Sequence, residues 1–236
     1  NISWNESIKE LHKPENIGKY RENFYLRLAF DEIFSTFLVN SEIRKKIKKI
    51  KKENKVINFD LQKKLINKLS FLLTNDQIKS LKEINYDLSS SNKMFRLLQG
   101  DVGSGKTIVA LIAAYNSINS GFQVAVMAPT EILAKQHFNL AKKIFPKSLN
   151  IRFISGKSPH QEKKILLEDL SSHKIDIIFG THAIFQKKVN FKKLGLIVID
   201  EQHKFGVNQR KKLSDKGGDN CDVLLMTATP IPRTLT

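Results

Sequence analysis

Six short apolar runs dominate the second two-thirds of the chain: "MFRLLQ", "FQVAVMA", "IRFIS", "KIDIIFG", "LGLIVID" and "DVLLMT". Most of them lack alternation of polar and apolar residues. A strand of that kind is buried on both faces, as in a parallel sheet. Amphipathic stretches separate the runs: Lys106 to about Ser120, and "TEILAKQHFNLAKKIF". Strand–helix alternation implies an α/β domain with a mostly parallel sheet flanked by helices. In such sheets ligands collect at the carboxyl ends of the strands.

The chain has 236 residues, and 41% of them are hydrophobic, so a sizeable core is available and wholesale disorder is excluded. No apolar run approaches the roughly 18 residues of a membrane span, and no membrane partner is expected. The start, "NISWNESIKE", lacks the basic and apolar regions of a signal peptide. It also lacks an initiator Met, which reads as a fragment or a processed product. Cys221 is the single cysteine, so no disulfide forms within the chain, and a cytoplasmic location fits. The six histidines form no ligand-spaced cluster with it, and no zinc site is expected.

The formal charge is +17, from 40 Lys+Arg against 23 Asp+Glu. Two readings stand: a polyanionic partner, or a composition rich in Lys, Asn and Ile such as AT-biased coding produces. Up to about residue 72 the texture is helical, lysine-rich and almost free of glycine. Tyr20, Phe24, Leu28, Ile33, Phe37 and Leu38 fall near helical spacing. "SEIRKKIKKIKKENK" follows, with Ser41 as a candidate N-cap and Ile43, Ile47 and Ile50 as a thin apolar stripe. Its lysines either track phosphates or form a solvated helix face. The expected division is a helical segment over 1–72 and an α/β lobe over 73–236.

Between "MFRLLQ" and the next helix stands Gly100-Asp101-Val102-Gly103-Ser104-Gly105-Lys106-Thr107, a match to G-x-x-x-x-G-K-[ST]. The glycines let the backbone wrap closely around phosphate oxygens. The loop opens into a helix N-terminus, whose unpaired N–H groups favour an anion. Lys106 would reach the terminal phosphates, and the Thr107 hydroxyl would ligate Mg²⁺. "LIVIDEQH" supplies the second half of such a site. Asp200 would hold Mg²⁺, and Glu201 would position or deprotonate the attacking water. His203 either senses the terminal phosphate or caps the turn. "APTEILAKQH", "GTHAIF" and "TATPIPRT" end further strands with Thr, His, Gln or Pro. Singly, such strings serve as helix caps. Gathered at one sheet edge, they suit contact with a nucleic-acid backbone without base reading.

The set "GDVGSGKT", "MAPTEILAKQH", "GTHAIF", "VIDEQHKFGVNQR" and "LLMTATPIPRTL" resembles the first motor lobe of the RecG family of branched-DNA helicases in superfamily 2. The likeness runs from about Phe71 to Thr236. The transcription–repair coupling translocases share "TATPIPRTL" and a similar loop but usually read Asp-Glu-Glu-His, and they stand as the alternative. The resemblance implies a RecA-like lobe that binds ATP and Mg²⁺ through Gly100–Thr107, with Lys106, Asp200 and Glu201 catalytic. It implies Gln77 as adenine reader, with Phe71 near the base. It places Pro129, Thr130, Gln136 and Thr181 on the DNA backbone, and His203, Thr227, Ala228 and Thr229 in coupling. It implies ATP-driven fork regression and Holliday junction migration in recombination and repair, with branched DNA as partner and a monomer as the default.

Three positions depart from the family pattern: Lys204 for a usual Arg, Ser70 for a usual proline, and Asp76 for a usual small residue. None removes a catalytic group. The sequence stops just past the third motor motif, so no second lobe is expected in it. That lobe would carry an arginine finger, worth roughly 10³–10⁵ in rate. The stretch by itself is therefore expected to bind nucleotide weakly, to hydrolyse it very slowly and not to unwind DNA.

Overall fold

In a computed structural model of the chain, the described residues are 2–12, 21–49, 51–156, 159–186, 188–201 and 218–228. They fall into two compact units, Asn1–Ile47 and Lys48–Thr236. The first unit is helical. Helix α1 (Trp4–His12) starts on a reciprocal cap: Glu6 N–H donates to Ser3 Oγ at 3.2 Å, and Ser3 N–H donates to Glu6 Oε2 at 3.3 Å. Helix α2 (Arg21–Lys49) contains neither Gly nor Pro, and nothing breaks it. It runs straight through Ser41, which therefore does not cap a new helix as expected from the sequence. An Arg27–Asp31 ion pair at 3.1 Å and a stacked Phe30–Phe34 pair follow its i,i+4 spacing.

The second unit starts earlier than the change of texture near residue 73. Residues 52–57 lie outside helix and strand, and an antiparallel bridge joins Lys51 to Asn92. Helix α3 (Phe59–Ile66) follows, capped by Asn58, and buries Leu65 in the main core. Helix α4 (Asn75–Ser89) begins on the capping box of Thr74 and Gln77. Then come β1 (Phe95–Gln99), α5 (Lys106–Asn119), β2 (Gln123–Met127), α6 (Glu131–Ile144), β3 (Ile151–Ile154), α7 (His160–Ser171), β4 (Ile177–Gly180), a 3-10 turn (His182–Phe185), β5 (Leu194–Asp200) and β6 (Asp222–Thr227).

The six strands form one sheet in the order β1-β6-β5-β2-β4-β3, parallel throughout. The expected α/β class is what the chain adopts. The absence of alternation has a direct cause. On β5, Leu196 and Val198 enter one core, while Ile197 and Ile199 enter the other, on the opposite face. Helix α5 lies almost wholly inside, buried from Ile108 to Ile118. The two edge strands depart: β1 leaves Phe95 and Leu97 exposed, and β3 leaves Arg152 exposed with Ile151 and Phe153 half-buried.

Two buried polar clusters fix the amino-terminal edge of the sheet. Asp222, fully buried at the start of β6, accepts from Lys52 Nζ at 2.6 Å, Lys55 Nζ at 2.7 Å and Met94 N–H at 2.6 Å. Lys55 Nζ also lies 4.5 Å from the Phe122 ring centroid, and Lys193 Nζ lies 4.4 Å from it. Burial lowers the Lys52 pKa despite the attraction of Asp222. Lys52 and Lys55 therefore neither track phosphates nor face solvent, which corrects both readings of the basic run at these two positions. The second cluster is Gln123. Its Nε2 donates to Leu170 O at 2.8 Å and Ile175 O at 2.9 Å, and its Oε1 accepts from Lys192 N–H at 2.9 Å and Lys193 N–H at 3.0 Å.

Candidate nucleotide-binding and hydrolysis site

All the strand-end motifs within the described residues leave the sheet at its carboxyl edge. Gly100–Lys106 connects β1 to α5. Gly103 (φ 84°) and Gly105 (φ 80°) take the left-handed backbone that glycine tolerates and that turns the loop inward. Gly105 is the N-cap of α5, and no side chain accepts a hydrogen bond there. The first-turn N–H groups of α5 thus lack a side-chain acceptor, the chemistry an anionic phosphate completes. Lys106 Nζ donates to Gly100 O at 2.5 Å and Asp101 O at 2.8 Å, which sets its ammonium over the loop's own backbone. Val102 is 88% exposed at the loop tip, and Ser104 is also exposed.

Gln77 closes this loop from the side. Its Oε1 accepts from Thr74 N–H at 3.0 Å, and its Nε2 donates to Ser104 O at 2.8 Å. A Cβ at Gly105 would meet that amide and displace it, while the positive φ is what calls for glycine there. Helix α4 is held to the loop's strand by Arg96, which donates to Asp87 Oδ2 at 2.7 Å and Glu83 Oε2 at 2.6 Å. Phe71 lies half-exposed ahead of α4.

Asp200 ends β5 with its side chain 12% exposed, and its Oδ2 is 2.7 Å from His137 Nε2 on α6. Glu201 follows with φ 51°, a left-handed conformation uncommon for a non-glycine residue and typical of strained functional turns. Thr227 ends β6, buried, and its carbonyl accepts from Gly100 N–H at 3.3 Å. Since β6 lies between β1 and β5, this bond and the Asp200↔Met226 register bring the phosphate loop and the acidic pair into one constellation. Thr107 and His137 line a common crevice beneath it with Met226. Ala228 follows Thr227. His203 and Thr229 lie outside the described residues.

The nucleic-acid candidates sit further along the same edge. Thr130 caps α6, its Oγ1 accepting from Leu133 N–H at 3.3 Å, so the cap reading holds for its hydroxyl. Pro129 precedes it, and Gln136 is exposed one turn and a half later. Thr181 follows β4 and is buried. Glu131 ties this end of α6 to the end of β3 by accepting from Ser155 Oγ at 2.6 Å and Gly156 N–H at 3.1 Å. Sequence reasoning missed the pairing of His137 with Asp200. Its signal was an imidazole on a buried stripe otherwise made of Ala134, Ala141 and Ile144. Asp222 gave no signal of its own.

A family model described as DEAD/DEAH box helicase matches residues 74–236. The chain belongs to the DEAD/DEAH box helicase family. It is 44% identical over 232 residues to the ATP-dependent DNA helicase RecG of Streptococcus pneumoniae serotype 4, covering 98% of this chain and 34% of that protein. It is 45% identical over 236 residues to the RecG of Bacillus subtilis strain 168, covering 98% and 34% respectively. A solved structure of RecG bound to a three-way DNA junction superposes with a TM-score of 0.77 at 40% identity, covering 92% of this chain and 29% of that one. The chain thus spans about a third of the length of the relatives it matches. The matched stretch includes both the glycine-rich loop Gly100–Thr107 and the Asp200-Glu201 pair. Among the described residues, no helix is long and apolar enough to cross a membrane.

Proposed function

We propose that the chain is the ATP-binding lobe of a RecG-type DNA helicase, an ATP hydrolase that remodels replication forks and Holliday junctions in recombination and repair. One observation carries the reading: the phosphate loop, Asp200 and Thr227 end three adjacent strands, and Gly100 bonds directly to Thr227. In this reading the loop Gly100–Thr107 wraps the phosphates, and Lys106 leaves its loop carbonyls for the terminal phosphate. Gln77 presents its amide to the adenine, beside Phe71. Pro129, Thr130, Gln136 and Thr181 hold the DNA backbone, and Thr227 and Ala228, with His203 and Thr229, couple the two ligands.

The residues present suit a magnesium ion. Thr107 and Asp200 offer a hydroxyl and a carboxylate, hard oxygen donors of the kind Mg²⁺ takes alongside water and phosphate oxygens. When bound, the ion neutralises charge on the phosphates and orients them. Glu201 then accepts the proton of the attacking water, and the buried setting of Asp200 limits competing solvent. Residues 1–72 serve as the connector from a preceding region, with 51–72 docked on the lobe, and the protein works as a cytoplasmic monomer.

The test is steady-state ATP turnover by the complete protein, with and without forked DNA, beside a Lys106→Ala control. Turnover raised by forks and lost in the control is the expected result. Turnover indifferent to any DNA would leave a P-loop ATPase of another class.

A further inference from the structure

Helix α6 buries one stripe: Ala134, His137, Ala141 and Ile144. Three of these are small or apolar. His137 is only 8% exposed, and burying an imidazole costs free energy unless its nitrogens find partners. The partner it finds is 63 residues away in sequence: Asp200 Oδ2, at 2.7 Å. For this bond Nε2 carries the hydrogen and donates, and the carboxylate accepts. An apolar residue of similar volume would fill the stripe without that cost, so packing does not explain the choice of histidine.

The bond has a mechanical consequence. A carboxylate at the end of a strand has free rotation about its terminal torsion unless something fixes it. His137 takes one oxygen and thereby aims the other. Groups that hydrogen-bond a metal ligand in this way orient it, and their loss typically costs 10–100-fold in metal affinity. The imidazole is carried by the same helix that begins at Pro129-Thr130 and displays Gln136 at the neighbouring position.

We infer that His137 is a positioning residue for the hydrolysis site: it holds the Asp200 carboxylate in the orientation that receives the metal, and it makes the DNA-facing helix α6 part of that hold. The inference rests on the reading of Asp200 as a metal ligand. DNA seated on α6 then acts on the metal site through a single hydrogen bond rather than through the whole lobe.

The test uses the complete protein and Mn²⁺ as a spectroscopic stand-in. Electron paramagnetic resonance titration reads Mn²⁺ affinity in the presence of a non-hydrolysable ATP analogue, with and without forked DNA. His137→Leu is expected to weaken Mn²⁺ binding by about tenfold or more and to abolish any change on adding DNA. His137→Gln, whose Nε2 reaches the same place with a donor, is expected to recover most of both effects. His137→Asn keeps polarity but is too short, and it is expected to behave as the Leu variant if that one does not fold. Parent-like Mn²⁺ affinity in a folded Leu or Asn variant would overturn the inference. Asp200→Asn separates the two levels. If it weakens Mn²⁺ binding and the His137 variants do not, only the inference falls. If Asp200→Asn itself has no effect, the reading of Asp200 falls and the inference with it.

Discussion

Gln77 Nε2 donates to Ser104 O at 2.8 Å, so one side chain both starts helix α4 and braces the phosphate loop 27 residues later. The two functions separate by chemistry. Gln77→Glu keeps an acceptor for Thr74 N–H but loses the donor to Ser104 O. It is expected to leave stability within about 0.5 kcal/mol while weakening binding of a fluorescent adenine nucleotide. Gln77→Ala loses both bonds and is expected to cost about 1 kcal/mol more in thermal unfolding, the usual worth of a cap. Equal nucleotide affinity in the parent and the Glu variant would separate the brace from binding.

The cluster at Asp222 carries two cations on one anion, with both lysine side chains and the carboxylate fully buried. Asp222→Asn preserves the acceptor for Met94 N–H but strands two buried ammonium groups. Breaking a buried pair in this way costs about 3–5 kcal/mol. Lys52→Met removes the lysine whose charged form burial already disfavours and leaves a one-to-one pair. Lys52 Nζ also donates to the Asp87 and Leu88 carbonyls, so its loss is expected to cost about 1–3 kcal/mol, less than that of Asp222→Asn. Urea unfolding of both variants checks the asymmetry, and a Lys52→Met loss as large as that of Asp222→Asn would refute it.

Burial, reinforced by the neighbouring Asp222 charge, pushes the Cys221 thiol from an ordinary value of 9.0 up to about 12. The folded chain therefore holds a proton that the unfolded chain releases above pH 9. That contribution to stability is complete below pH 9 and is lost as pH rises towards 12, at up to about 1.4 kcal/mol per pH unit. Lys52 works in the opposite sense, because its lowered pKa makes the folded chain release a proton that the unfolded chain keeps until near 10.5. Cys221→Ala removes the first effect and leaves the second. Its stability is expected to fall less than the parent's, or to rise, between pH 8 and 10 in urea unfolding. Parallel decline of parent and variant would show that the thiol is not responsible.

How much of this was legible in the sequence follows from what each residue touches. The strand positions were legible because residues such as Leu196 and Ile197 meet apolar cores on opposite faces, which forbids alternation. The placing of the Gly100–Thr107 loop and of Asp200 at strand ends was legible because each directly follows or closes an apolar run. Helix α7, "HQEKKILLEDLS", was not singled out, because only Leu166, Leu167 and Leu170 of it meet a core. Lys52 and Lys55 were misread because a lysine's usual place is in water, and their partner stands some 170 residues later. A separation of 63 residues likewise hid His137 from Asp200, and no residue type announces the φ of 51° at Glu201.

Gln123 offers the sharpest test of the buried polar frame. Its amide satisfies four backbone groups with both donors and both acceptor positions used, between α7, the loop after it and the approach to β5. Gln123→Leu is close in volume and adds apolar surface, so a simple hydrophobic count favours it. The hydrogen-bond count opposes it: two carbonyls and two N–H groups in a buried pocket lose their partner, each at roughly 1–3 kcal/mol if water does not reach them. The larger sum wins, and Gln123→Leu is expected to destabilise the chain by several kcal/mol and to speed amide exchange at Lys192 and Lys193. Gln123→Glu keeps the acceptors but sets a buried carboxylate oxygen against the Leu170 and Ile175 carbonyls, so it is expected to destabilise at least as much as Gln123→Leu. A Leu variant as stable as the parent, with both amides still protected, would mean that those backbone groups find other partners and that the buried amide is not what joins β2 to its neighbours.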